Sequence, residues 1–269
     1  MSDGKSFLRW AGSKSRLIPH LRAYWGDGCT RYVEPFMGSA ALFFAIGPSE
    51  AVLSDINADL VEAFCVLRDH PRAVYNRLIC LPLGEEAYYG IRQEDASQLP
   101  SLDRVARFVY LNRFCFNGLY RTNTKGKFNV PYASSKTAHL PLQEDLCKAA
   151  KVLLSANIAA RDFEETLKDV QGGDFVYMDP PYAVRNRRIF RQYGPDSFGI
   201  ADLARLAVSL KEIDRRGATF VVSYAMCREA LDAFSRWHIR RVHTQRSVAG
   251  FSRHRHKAIE IIVSNRKLP

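Results

Sequence analysis

The sequence predicts an α/β fold: strands alternating with helices, as in open α/β sheets, interrupted by an inserted, mainly helical domain that carries a β-hairpin. Three observations predict it. Short apolar runs near 31–34 and 51–55 each end at an acid and lead into helical periodicity. The same alternation returns from about residue 141 and runs to the last strand. Between them, residues 60–140 read as helices and one polar hairpin. The expected organisation is thus a discontinuous catalytic domain, 1–59 with 141–269, around a target-recognition domain at 60–140.

Residues 7–15, Phe-Leu-Arg-Trp-Ala-Gly-Ser-Lys-Ser, come first, followed by a helical pattern over 16–24. This is no phosphate-cradling P-loop, because the first glycine is missing and Gly-Ser-Lys-Ser replaces Gly-Lys-Ser. The turn either sets Trp10 and Lys14 beside a small ligand, or leaves Trp10 in the core and Lys14 in solvent.

Residues 31–44 read as strand, tight turn and helix, with Glu34, Pro35, Phe36 and Gly38 in the turn. Small residues there let a ligand approach the backbone. The second strand, 51–55, ends in Asp55. An acid at that strand tip binds a ribose hydroxyl in dinucleotide-type folds. It also suits the N-cap of the helix that follows, and the two roles are compatible.

Helical segments run from 57 to about 94, and another runs from 100 to about 116 with Val105, Phe108, Val109 and Leu111 on its buried face. Its far end, Asn112 to Arg121, leads into a hairpin over 122–131 with a Lys-Gly turn. Asn and Arg can grip adenine and guanine edges, Lys can hold phosphates, and a two-stranded ribbon fits the major groove. An ordinary polar hairpin is the alternative.

After a helix at 142–156, Asp162-Phe163 follows a strand tip, and 174–178 is the strand that carries Asp179-Pro180-Pro181-Tyr182. Two prolines stop that strand, so an acid, a rigid turn and a ring sit at one strand tip, where open sheets bind ligands. A plain Pro-rich turn has the same composition. Arg185, Arg187, Arg188 and Arg191 then crowd one loop, as a phosphate-binding run or a solvated charge run. A helix at 200–216, a strand at 218–224, a helix at 227–234 and strands at 239–244 and 258–264 close the chain. The basic loop between the last two holds His254 and His256, but no carboxylate or Cys partners that would make it a metal site.

Lys and Arg outnumber Asp and Glu by 39 to 28, a net charge of +11, which favours a polyanionic partner. No apolar run is long enough to span a bilayer, and no apolar stretch behind Met1 suggests a secretory signal. The six cysteines are scattered and form no C-x-x-C pair, as in a reduced, cytoplasmic protein.

Taken together, FLRWAGSK (7–14), VEPFMGSAALF (33–43), LSDIN (53–57), LNRFCFNGLYR (111–121), GKFNVP (126–131) and DPPY (179–182) resemble the Dam family of DNA adenine-N6 methyltransferases. The blocks stand in the order of the α group of amino methyltransferases and cover almost the whole chain. The resemblance implies a Rossmann-like, S-adenosyl-L-methionine-dependent methyltransferase sheet. It implies a cofactor site of Trp10, Lys14, Glu34, Pro35, Phe36, Gly38, Asp55, Asp162, Phe163 and Asp179, and a catalytic tetrapeptide Asp179, Pro180, Pro181 and Tyr182. Base reading would fall to Asn117, Leu119, Arg121 and Pro131. Arg9, Arg113, Asn123, Lys125, Lys127, Arg185, Arg187 and Arg188 would complete the contacts to double-stranded DNA. Arg9 and Ser135 stand where the relatives carry a lysine and a tyrosine, so the implied target is GATC-like with its outer bases open. A bacterial or phage-encoded, nucleoid-associated enzyme with no obligate protein partner would fit. Methyl transfer to RNA or to a protein amide uses similar tetrapeptides, and a DNA-binding regulator could keep the fold without the chemistry. The basic insert argues against the RNA and protein substrates, and the intact tetrapeptide argues against the regulator.

Overall fold

The structure is a computed structural model and describes residues 5–10, 12–123, 126–133, 139–182, 198–245 and 257–267. Its centre is a seven-stranded sheet in the order β3-β2-β1-β4-β5-β7-β6. The strands are β1 (Arg31–Glu34), β2 (Ala51–Asp55), β3 (Ala156–Ala160), β4 (Asp174–Met178), β5 (Thr219–Ala225), β6 (His238–Gln245) and β7 (Lys257–Ser264). The first five are mutually parallel, while β7 runs antiparallel to both β5 and β6.

Parallel strands need crossover helices, which cover both faces. That is why Phe175 to Met178 reads as an unbroken apolar run. Phe175 and Tyr177 enter one core, Val176 and Met178 the other, and all four are buried. A partly buried fork ties β1 to β4 where Arg31 pairs with Asp174: Arg31 Nε and a terminal guanidinium nitrogen donate to the two oxygens of Asp174, at 2.9 and 2.7 Å. The strand order reverses between β1 and β4, and open α/β sheets bind ligands at such a point, outside the carboxyl ends.

Helix α1 (Ile18–Arg22) is shorter than the expected 16–24, with Pro19 in its first turn. Helix α2 (Ala41–Ile46) follows the turn after β1, and α3 (Ala58–Asp69) follows β2. Then come α4 (Pro71–Ile79), α5 (Glu85–Gln93) and α6 (Ser101–Phe114) before α7 (Gln143–Leu153) leads back to β3. Helices α8 (Phe163–Lys168), α9 (Ile200–Arg215) and α10 (Arg228–Ala233) belong to the second half of the sheet. Helix α3 packs on β2 and β3 as well as on α6. Phe64 of α3 meets both Phe7 and Phe44, so the helical segment shares one continuous apolar core with the sheet. Among the described residues no helix is long and apolar enough to cross a membrane.

Candidate active site

Three acids end three neighbouring strands: Glu34 on β1, Asp55 on β2 and Asp179 directly after β4. Each is held differently. Glu34 is buried and accepts from the Tyr32 hydroxyl at 2.9 Å. Burial pushes its pKa well above the carboxylate range; the Tyr32 bond opposes this, and the Asp179 and Asp55 charges add to it. Asp55 accepts from Gly38 N at 3.1 Å and from Asn57 N at 3.0 Å. Burial raises its pKa too, against those backbone donors. The N-cap of α3 is Asn57, whose side chain accepts from Leu60 N, so Asp55 is a strand-tip acid tied to the turn.

Gly38 sits at φ +45°, and a Cβ there would come within 3.1 Å of the Trp10 indole. The turn therefore needs glycine both for its conformation and for the approach of Trp10. Pro35 is buried in the same turn. Phe36 stacks on Phe163 at 5.2 Å, and Phe198 meets both rings. Asp162 caps α8 by accepting from Glu164 N and pairs with Arg205, which also lies over the Phe163 ring. Ile56, beside Asp55, is 69% exposed, an apolar side chain uncovered at the strand ends.

Lys14 reaches the third acid. Its Nζ lies 2.8 Å from Asp179 Oδ1 and 2.9 Å from Oδ2, with the Tyr182 ring centroid 5.2 Å away. Burial works against the Lys14 charge, but Asp179 and the other acidic groups around it raise its pKa overall. Pro180 is buried and Pro181 exposed, and Tyr182 packs edge-to-face with Tyr224 of β5. Tyr177 and Ser223 continue the hydrogen bonding behind Asp179.

The N-terminal segment links this site to the hairpin. Buried Asn112 clamps the Arg9 backbone, accepting from its N–H at 2.9 Å and donating to its carbonyl. Gly118, at φ +62°, lies so close that a Cβ would be 2.6 Å from the Arg9 carbonyl oxygen. Trp10 stacks on Tyr120. The hairpin itself is short, with Asn123 N donating to Lys127 O and Asn129 N to Arg121 O. Arg121 is braced across it, its Nε 2.7 Å from Asn129 Oδ1. Asn117, Asn123, Lys127 and Pro131 are exposed, and Leu119 is half-buried. Arg113 points inward: its Nε donates to His139 O at 3.0 Å, and burial followed by the neighbouring Arg9 charge lowers its pKa. The Arg9 guanidinium donates to Arg113 O.

The structure thus puts Glu34, Asp55 and Asp179 at adjacent strand ends, with Gly38 bonded to Asp55, Lys14 paired with Asp179, and Trp10 stacked on Tyr120 before the hairpin, while Arg113 turns into the protein. Lys125, Ser135, Arg185, Arg187, Arg188, Arg191, His254 and His256 lie outside the described residues. Residue patterns missed Ile56, Tyr120, Tyr177 and Ser223. A serine inside the apolar strand Val221-Val222-Ser223-Tyr224 was the one available signal.

The family model described as D12 class N6 adenine-specific DNA methyltransferase matches residues 10–248. A type II methyltransferase of Lactococcus lactis subsp. cremoris is 32% identical over 97% of this chain and 95% of its own length. A DNA adenine methylase of Haemophilus influenzae is 29% identical over 96% and 92% of the two chains. Another from Vibrio cholerae is 33% identical over 83% and 82%.

Proposed function

The chain belongs to the D12 class of N6 adenine-specific DNA methyltransferases, and from that premise we propose that it methylates N6 of a flipped adenine in a GATC-like duplex site, using S-adenosyl-L-methionine. The observation that carries this is the Lys14–Asp179–Tyr182 cluster at the sheet's switch point, beside the Asp55–Gly38 turn.

The residues present suit a sulfonium nucleoside. Asp55, at the strand tip beside the Gly38 turn, has lone pairs left for a ribose hydroxyl. Phe36, Phe163 and exposed Ile56 offer apolar surface to an adenine ring, and Gly38 with Trp10 forms the wall that a Cβ would fill. When bound, the cofactor supplies an activated methyl group.

The remaining work falls to the chain. The adenine N6 lone pair is conjugated with the ring and is a poor nucleophile. Asp179 and the Pro180 carbonyl would accept from the two N6–H groups and favour a tetrahedral nitrogen whose lone pair is free to attack. Such preorganised acceptors lower the barrier without a covalent enzyme intermediate. The two prolines keep acceptor and ring in fixed relation. Flipping the base costs roughly a few kcal/mol, and stacking on Tyr182 would return roughly 1–3 kcal/mol. Residues 60–140 would act as the target-recognition domain, with Asn117, Leu119, Arg121 and Pro131 reading bases and Arg9 an outer position. Asn123, Lys125 and Lys127, with the arginines at 185–188, would hold phosphates.

Incubation with labelled S-adenosyl-L-methionine and a random-sequence duplex, followed by mapping of modified bases, tests this. N6-methyladenine confined to one short GATC-like sequence is expected. Label on RNA or protein instead, or on adenines without sequence preference, would overturn it. Asp179→Ala should abolish transfer while leaving duplex binding within about threefold.

A further inference from the structure

Asp179 has a second hydrogen-bond partner, on the next strand. Ser223 of β5, fully buried, donates from Oγ to Asp179 Oδ1 at 3.0 Å. Tyr177, two residues before Asp179 and also buried, holds its hydroxyl 3.0 Å from Ser223 Oγ. Parallel pairing brings this about: Tyr177 lies opposite Val221 and Met178 opposite Val222, so Ser223 comes level with the strand tip that carries Asp179.

The chemistry sets the direction of both protons. An ionised carboxylate only accepts, so the Ser223 proton goes to Asp179. Ser223 Oγ then has only lone pairs to offer Tyr177, so the phenol donates. Burial, and then the Asp179 charge, hold the Tyr177 pKa well above its ordinary value, which keeps the phenol proton in place. The result is a one-way chain, Tyr177 to Ser223 to Asp179, ending on one named oxygen.

Lys14 does not do the same work. It lies within 2.9 Å of both carboxylate oxygens and so does not distinguish them. A directional hydroxyl on Oδ1 does, and it leaves Oδ2 as the oxygen without a sheet partner. A nearby buried serine shows the contrast. Ser264 of β7, on the strand paired with β5, donates to the Phe220 carbonyl and accepts from Arg266 N, so both its bonds go to backbone.

We propose that Ser223 and Tyr177 are positioning residues for the methyl-transfer site: their hydroxyl chain fixes the rotation of the Asp179 carboxylate so that one oxygen is presented to the target amine. This rests on the assignment of Asp179 as the amine acceptor.

The test combines single-turnover methyl transfer to duplex DNA with duplex and cofactor binding constants, on Ser223→Ala, Tyr177→Phe, their double variant, Ser264→Ala and Asp179→Ala. Ser223→Ala should slow the transfer step about 10- to 100-fold, the range a displaced reacting group costs, while both binding constants stay within about threefold. Tyr177→Phe should slow it by about 3- to 10-fold, and the double variant should be no slower than Ser223→Ala, since one hydroxyl acts through the other. Ser264→Ala should lower the thermal midpoint and leave the transfer rate unchanged. A crystal structure of Ser223→Ala should show the Asp179 carboxylate turned from its native rotation, a readout independent of turnover. Native transfer rates in Ser223→Ala and Tyr177→Phe, with Asp179→Ala inactive, would overturn the proposal and leave the acceptor assignment standing. Native turnover in Asp179→Ala would remove the assignment and the proposal together. If Ser223→Ala fails to fold, the near-isosteric Tyr177→Phe decides by the same rate criterion.

Discussion

Trp10 and Tyr120 stack with centroids 5.8 Å apart and planes 21° from parallel, and the pair joins the Gly38 turn to the hairpin. Tyr120 also meets Phe108 and Phe128, and its hydroxyl donates to Asp59 at 2.7 Å. Tyr120→Ala should cost about 2–4 kcal/mol in urea unfolding and weaken cofactor and duplex binding together. Tyr120→Phe keeps the ring and loses its hydroxyl's bonds to exposed Asp59 and to Asn57, so it should stay within about 1–1.5 kcal/mol of the native protein. Loss of one binding activity alone in Tyr120→Ala would show that the stack does not join the two sites.

Arg121 is braced by Asn129, through Oδ1 at 2.7 Å and the main-chain oxygen at 3.4 Å. A braced guanidinium presents its fork to a base edge with little ordering cost. Arg121→Ala should relax sequence preference at one position, a loss of about 1–3 kcal/mol of discrimination. Asn129→Ala should relax the same position, and the double variant should add little. A uniform loss across all sequences, with a shallower salt dependence, would make Arg121 a phosphate contact instead.

Glu34 carries a pH dependence whose sign follows from its burial. Its folded pKa is raised, so between the unfolded and folded values the native state binds more protons than the unfolded state. Stability from this group is complete below the unfolded pKa and falls as pH rises toward the folded one. Glu34→Gln removes that titration and keeps an acceptor for Tyr32. Denaturant midpoints of the variant should match the native protein near pH 4, below the unfolded carboxylate value, and exceed it near pH 8. A gap that does not widen with pH would contradict the shift.

Gly118 is the tightest backbone approach in the hairpin base, with φ +62° and the Arg9 carbonyl where a Cβ would go. Gly118→Ala should cost about 1–2 kcal/mol for the left-handed conformation alone, with further loss from displacing the segment 7–10. Because Lys14 lies on the same N-terminal segment, transfer should slow in parallel with a fall in thermal midpoint. A variant with native midpoint and native rate would show that Arg9 and Gly118 can separate freely.

Most of the fold was legible in local pattern. Strand runs ending in Glu34, Asp55 and Met178 and helical periods at 57–68 and 200–216 are properties of neighbouring residues, and the strands and helices appear within a few residues of where they were expected. Chain punctuation was legible too, since two prolines after Asp179 can only end a strand. Elsewhere the pattern stopped short. Asp55 suited both a ribose acid and an N-cap, two compatible roles, and the structure gives the cap to Asn57 instead.

By itself the sequence determined the α/β class, the order of turn, hairpin and tetrapeptide, the cationic character and the family resemblance, because all of these are written in residue type and spacing along one dimension. Tertiary structure decided which groups meet. Lys14 and Asp179 are 165 residues apart, Arg9 and Asn112 are 103 apart, and Ser223 and Asp179 are 44 apart, yet each pair is within hydrogen-bond reach. No local period encodes such distances. Ser223 meets Asp179 because parallel pairing sets β5 in register beside β4, while the other two pairs arise because the N-terminal segment packs across the sheet end and α6.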